Sequence, residues 1–166
     1  MRNADFSVVL DACVLANFAV CDLFLRLAET PRLYLPKWSY QILSETRRTH
    51  REKLGWHARI ADSFQRELQI AFPEASVGGY EHLMEHCQND VKDRHVLACA
   101  IHCHAEVIVT FNLKDFAQEA LSPWGIDAQH PDMYLQTLFS INPLTVLHKL
   151  EAIAAGRNAT LEDHLL

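Results

Sequence analysis

The sequence predicts an α/β fold: a single domain with a central, mostly parallel β-sheet and helices on both faces. Short, β-branched apolar runs, clearest at residues 6–10 and 106–110, alternate with longer segments of helical periodicity. Strands that are separated by helices form parallel sheets covered on both faces. The chain has 166 residues, enough for one such domain with a buried core.

Each element is predicted from its own pattern and its own boundary residues. Strands are predicted at the short apolar runs 6–10, 33–35, 75–77 and 106–110, the first three of which are followed by Asp11, Pro36 and Gly78. Helices are predicted where apolar residues recur every three or four positions: residues 12–28, 40–53, 57–71, 93–104, a short one from Asp115, and 131–138. Ser39 is placed to cap the second of these helices.

The last part of the chain is predicted to be a helical extension, residues 140–166, following a main domain of residues 5–139. Residues 144–155 are amphipathic, and Gly156 is predicted to end the helix. The apolar stripe of this helix consists of Leu144, Leu147, Leu150 and Ile153. It is either an interface with another molecule or the face that packs on the chain's own domain.

Composition predicts a soluble cytoplasmic protein, with no membrane association. No apolar run is long enough to span a bilayer or to serve as a signal peptide. The five cysteines are an odd number without Cys-x-x-Cys spacing, which favours reduced thiols. The net charge of −6 argues against a nucleic-acid partner, because proteins that grip phosphates are usually basic. Clustered acids that hold divalent cations would answer this objection.

Two acidic residues are predicted to meet at one edge of the sheet. Asp11 directly follows the first strand, and Asp115 lies a few residues beyond the strand at 106–110. In an open α/β sheet, ligands bind at the carboxyl ends of the strands. Counting elements up and down the sheet puts Asp93 at the opposite edge, and it leaves Glu45 without a place in the site.

Four segments in the right order resemble the PIN-domain family, and in particular toxin ribonucleases of the VapC kind. They are Val8–Leu15, Leu43–Glu45, Asp93–Ala100 and Val109–Phe116, and the resemblance covers about residues 5–139. Each motif alone is weak, but their joint order and spacing are specific. The resemblance, unlike strand counting, implies that Asp11, Glu45, Asp93 and Asp115 converge in one site.

The resemblance implies a metal-dependent endoribonuclease that hydrolyses RNA to a 3′-hydroxyl and a 5′-phosphate. The four acids would hold Mg²⁺ or Mn²⁺, which prefer hard oxygen ligands. Thr110 and Asn112 are predicted to support the site through hydrogen bonds, and Asp90 is either a further supporting acid or a turn residue. The resemblance also implies a homodimer and an inhibitory antitoxin partner, whose basic side chains would suit an acidic protein.

Alternatives remain open for several of these residues. Each acid alone could be a turn residue, a helix cap or a surface ion-pair partner. The basic residues after Glu45 either contact RNA or form a solvated helix face: Arg47, Arg48, Arg51 and Lys53. A zinc site at His95, Cys99 and Cys103 is less favoured than core packing. The rival functions are a non-catalytic PIN-like binding module and a PIN nuclease in RNA processing.

Overall fold

The computed structural model describes residues 4–165, with side chains as far as residue 156. Five strands of the described chain form one parallel sheet in the order β3-β2-β1-β4-β5. The strands are β1 (Ser7–Leu10), β2 (Leu35–Ser39), β3 (Ser76–Val77), β4 (Val107–Val109) and β5 (Asp127–Gln129). The predicted fold class, a parallel sheet with flanking helices, is confirmed.

Eight α-helices lie in the described chain. They are α1 (Ala12–Ala16), α2 (Phe18–Leu27), α3 (Tyr40–Arg48), α4 (Ala58–Ala71), α5 (Arg94–His102), α6 (Gln118–Leu121), α7 (Pro131–Ile141) and α8 (Pro143–Leu165). A π-helical turn, Thr49–Lys53, continues α3, and short 3₁₀ turns include Val91–Asp93 and Leu113–Asp115. None of the described helices combines the length and the apolar character that crossing a lipid bilayer requires.

The sheet reverses its winding direction between β1 and β4. The chain builds outward from β1 to β2 and β3, then returns to add β4 and β5 on the other side of β1. Val8 pairs with Val107 and Leu10 with Val109, and Val8, Leu10 and Val109 are fully buried. Such a reversal opens a crevice at the carboxyl ends of the two central strands. Asp11 and Thr110 are the residues that follow those two ends.

The second strand lies later in the sequence than predicted, at Leu35–Ser39 instead of 33–35, and it includes Pro36. Leu35 donates its N–H to Phe6 on the β1 side, whereas Trp38 donates to Ala75 on the β3 side. The backbone nitrogen of Pro36 faces the β3 side of the strand, like that of Trp38. Strand β3 pairs only with the last two residues of β2, so it does not extend to Pro36. The missing N–H of Pro36 therefore removes no ladder hydrogen bond, so proline is tolerated there.

One other predicted element is wrong, and one strand has no prediction. The predicted helix at 12–28 is two helices, because Asn17 leaves the helical conformation and caps α2 by accepting the N–H of Val20 at 3.2 Å. Strand β5, Asp-Ala-Gln, was not predicted, since it has no apolar pattern and lies at the edge of the sheet.

The apolar stripe predicted for the C-terminal helix is only half buried. Leu144 is 76% exposed and Leu147 is 45% exposed, whereas Val146 and Ile153 are buried. Helix α8 packs this second face against α7 and α2, and it continues through Gly156 instead of ending there. The predicted end at Gly156 is wrong because a helix tolerates a single glycine.

Candidate active site

A cleft of about 690 Å³ opens at the carboxyl edge of the sheet. Three of the four predicted acids line it: Asp11, Glu45 and Asp93. Asn112 and Lys92 also line it, and Asp115 lies next to it, hydrogen-bonded to Lys92. The structure thus brings together side chains that come from β1, α3, the turn before α5 and the segment after β4.

Asp11 is fixed by hydrogen bonds on both carboxylate oxygens. It is 4% exposed, and its Oδ1 accepts the N–H of Ala12 at 2.8 Å while its Oδ2 accepts the Thr110 hydroxyl at 2.8 Å. Thr110 in turn accepts the N–H of Asn112 at 3.0 Å. Burial raises the pKa of Asp11 despite these hydrogen bonds, and the nearby charge of Glu45 raises it further. Of the two predicted supporting residues, Thr110 bonds Asp11 directly through its side chain, and Asn112 contributes its backbone N–H to Thr110.

Asp93 lies at the same edge as Asp11, so the prediction from strand counting is wrong. Helix α5 returns the chain from the carboxyl edge to the amino edge before β4, and it must therefore begin at the carboxyl edge. Asp93 is the residue that precedes this helix. Its carboxylate belongs to two clusters, each with ligand atoms within 4.8 Å of one another: one with Glu45 and His95, the other with Asp90 and Asp115.

Glu45 reaches the cleft from the second turn of α3. Ser39 caps this helix by accepting the N–H of Ile42 at 3.1 Å, as predicted. The Glu45 Oε1 atom lies 2.6 Å from Nε2 of His95, which is 4% exposed. Sequence reasoning considered His95 only as a zinc ligand and missed this contact, because residues 45 and 95 are far apart in the chain.

Lys92 is the positive charge inside the acidic cluster. Its Nζ donates to Oδ2 of Asp115 at 3.0 Å and lies 3.4 Å from Asp90 and 3.6 Å from Asp93. The hydrogen bond to Asp115 raises the pKa of Lys92. Asp90 also accepts the N–H of Lys92 at 3.1 Å, which is the turn role left open for it. Sequence reasoning missed Lys92, although its place between two acids was visible.

The pKa values of Asp93 and Asp115 are shifted in opposite directions. Burial, the charge of Asp11 and a hydrogen bond with Asp115 raise the pKa of Asp93 to about 7. Burial also acts to raise the pKa of Asp115, but hydrogen bonds from Lys92 and Asp93 outweigh it and lower this pKa below its usual range. The pKa of Asp93 is thus raised chiefly by burial and further by the neighbouring carboxylates, two effects that a bound cation would oppose.

The donor set fits a hard divalent cation. Carboxylate oxygens are the ligands that Mg²⁺ and Mn²⁺ prefer, and a cation would offset the burial and the neighbouring charges that raise the pKa of Asp93. Zinc is not supported: in the described part of the chain, no cluster with metal-binding spacing contains a cysteine, and Cys99 is fully buried. The prediction that Cys99 packs in the core is confirmed.

The basic residues after Glu45 divide into two pairs. Arg48 and Lys53 line the cleft. Arg47 instead donates to Asp62 on α4 at 2.7 Å, and Arg51 donates to the carbonyl of Trp56 at 2.7 Å. The structure therefore leaves Arg48 and Lys53 as the two candidates for contacts with a phosphate backbone.

The raised pKa of Asp93 predicts how the stability of the metal-free protein depends on pH. The folded protein holds a proton that the unfolded chain releases near the ordinary value of 3.8. The free energy of unfolding, measured by denaturant titration with a chelator present, should therefore fall as the pH rises from about 4 to about 7. Asp93→Asn should lessen this fall, whereas the exposed control Asp127→Asn should leave it unchanged. An equal fall in Asp93→Asn and wild type would contradict the assignment.

Comparison with known proteins identifies one relative. The chain is 54% identical over 57 residues to "Putative ribonuclease VapC50" of Mycobacterium tuberculosis, a match that covers 34% of each chain. The chain thus matches about a third of the length of this curated relative. No protein-family model matches the chain, and no solved structure matches it. This relative supports the similarity to VapC-like PIN-domain proteins that the four sequence motifs indicate.

Proposed function

We propose that the protein is a metal-dependent endoribonuclease, the toxin of a toxin–antitoxin pair, acting in the cytoplasm. The observation that supports this proposal best is the cleft lined by Asp11, Glu45 and Asp93. Asp115 lies beside this cleft and accepts a hydrogen bond from Lys92. The relative with 54% identity over 57 residues is itself named as a ribonuclease. Residues 5–139 would form the nuclease domain and residues 140–166 an extension.

The proposed cofactor is Mg²⁺ or Mn²⁺, held by Asp11, Glu45, Asp93 and Asp115. When bound, such an ion supplies a Lewis acid for the scissile phosphate and lowers the pKa of an attacking water. The chain's own part is to hold these oxygens close together before the substrate arrives. Asp11 is fixed by Thr110 and by the N–H of Ala12, so that it needs no rearrangement.

The RNA backbone would be bound by the positive charges beside the acids. Arg48 and Lys53 line the cleft on the α3 side, and Lys92 lines it on the α5 side. Phosphate contacts position a nucleic acid without reading its sequence. Positively charged residues beside the acids would allow the cleft to bind RNA although the net charge of the chain is −6.

The first test of this proposal is RNA cleavage by variants of the acids. Asp11→Asn and Asp93→Asn should reduce Mn²⁺-dependent cleavage of a mixed RNA substrate to background, because each removes a charged ligand. Both variants should remain folded by circular dichroism, and Asp127→Asn should cleave like wild type. Full activity in either variant would remove that residue from the site. Mn²⁺ binding without any cleavage of RNA would favour the non-catalytic binding module.

We also propose a homodimer and an antitoxin partner. Exposed apolar side chains lie near the junction of α7 and α8: Phe139, Ile141, Leu144 and Leu147. Neighbouring exposed apolar residues are typical of interfaces. The acidic net charge suits a basic partner, and a basic side chain could pair with the carboxylates much as Lys92 pairs with Asp115.

The homodimer is tested best with exposed residues, since deleting residues 141–166 would also remove the buried Val146 and Ile153. The double variant Leu144→Glu/Leu147→Glu should change a dimer into a monomer in sedimentation experiments at micromolar concentration and physiological salt. Ile70→Glu is the matched control, because Ile70 is 79% exposed on α4. A wild-type monomer would contradict the dimer proposal, and a dimer that only Ile70→Glu disrupts would move its interface to α4.

A further inference from the structure

His95 is a buried residue with one polar contact. It lies in the first turn of α5, is 4% exposed, and its Nε2 lies 2.6 Å from Oε1 of Glu45. Its other ring nitrogen, Nδ1, is buried and has no hydrogen-bond partner among the described residues. A proton on Nδ1 would therefore lack an acceptor, so the ring places its N–H on Nε2 and donates it to the Glu45 carboxylate.

Glu45 depends on this contact more than the other acids depend on theirs. The Asp11 carboxylate accepts hydrogen bonds from Ala12, Thr110 and Cys13, and the Asp115 carboxylate accepts one from Lys92. In the described part of the chain, the Glu45 side chain makes its single hydrogen bond with His95, and it is 31% exposed. A glutamate has more rotatable bonds than an aspartate, so an unanchored Glu45 would lose more conformational entropy when it binds a ligand.

His95 lies two residues after Asp93, so its hydrogen bond holds the Glu45 carboxylate close to the Asp93 carboxylate. Ligand atoms of Glu45, Asp93 and His95 lie within 4.8 Å of one another. One of the acids, Asp93, thus directly precedes α5, and the donor that anchors another acid, His95, follows two residues later in the first turn. The hydrogen bond also joins α3, which follows β2, to α5, which precedes β4.

We infer that His95 is a positioning residue: it holds the Glu45 carboxylate beside Asp93, so that both acids can serve one divalent cation. This inference rests on the proposed function. Hydrogen-bond partners behind a metal ligand typically change metal affinity about 10- to 100-fold when they are removed.

The test is Mn²⁺ binding by calorimetry, without RNA. His95→Leu should weaken Mn²⁺ binding about 10- to 100-fold. His95→Gln should recover much of this loss, because its amide can donate to Glu45, whereas the shorter His95→Asn should not. His102→Leu, an exposed histidine at the other end of α5, is the matched control and should bind like wild type. Melting temperatures in chelator identify any variant that has lost its fold, and the Gln–Asn pair then decides the question.

A double-mutant cycle separates positioning from other roles. If His95 acts through Glu45, then His95→Leu should have no further effect on Mn²⁺ affinity in a Glu45→Ala background. An equal loss in both backgrounds would overturn the inference, and so would ¹⁴N coupling to bound Mn²⁺ in pulsed EPR, which would make His95 a ligand. Normal Mn²⁺ binding by His95→Leu would overturn this inference alone. Absence of Mn²⁺ binding by wild type would overturn the proposed function together with it.

Discussion

The burial of several carboxylates beside one another is the constraint on which the rest of this site depends. Asp11 and Asp93 are each more than nine-tenths buried, and each has a raised pKa. Buried like charges cost free energy unless hydrogen bonds, protons or a cation compensate them. Replacing the acids with neutral residues would remove this cost. A buried acidic cluster of this kind therefore indicates a functional site. The fold therefore has to hold these carboxylates close together despite the cost of burying them.

The parallel sheet supplies the geometry for this. Its winding reverses between β1 and β4, which places the residues after both strands side by side. The hydrogen bond from Thr110 to Asp11 joins those two strand ends directly. Helices α3 and α5 begin at the same edge, so Glu45 and Asp93 both line the cleft. Each acid is thus anchored in a different element, and no single loop movement would separate all of them.

Much of this arrangement could be predicted from the sequence, because it follows from strong local patterns. The buried strands 7–10 and 107–109 have continuous apolar runs, and the acids after them could be placed at one edge of the sheet. Asp93 was misplaced only because the direction of its helix was counted wrongly. Glu45 was placed by the family resemblance, since nothing in its own helix distinguishes a cleft-lining glutamate from a surface one.

Other features depend on tertiary contacts that no local pattern encodes. The pairing of Glu45 with His95 joins residues 50 positions apart. Burial of Val146 in place of Leu144 is decided by how α8 packs against α7 and α2. Pro36 is acceptable inside β2 only because β3 is too short to face it. In each case the sequence allows several arrangements, and packing selects one of them.

The charge balance of the cluster can be tested through Lys92, whose ammonium group supplies a positive charge among Asp90, Asp93 and Asp115. The most direct measurement is the melting temperature of Lys92→Met at pH 8, with chelator and then with Mn²⁺. We predict a lower melting temperature than wild type in chelator, and a larger rise on adding Mn²⁺, because an added cation replaces the lost charge. Lys114→Met, which removes a more weakly acting charge beside Asp115, should show smaller changes of the same sign. Equal melting temperatures for Lys92→Met and wild type in both conditions would contradict the account of a cluster that lacks positive charge.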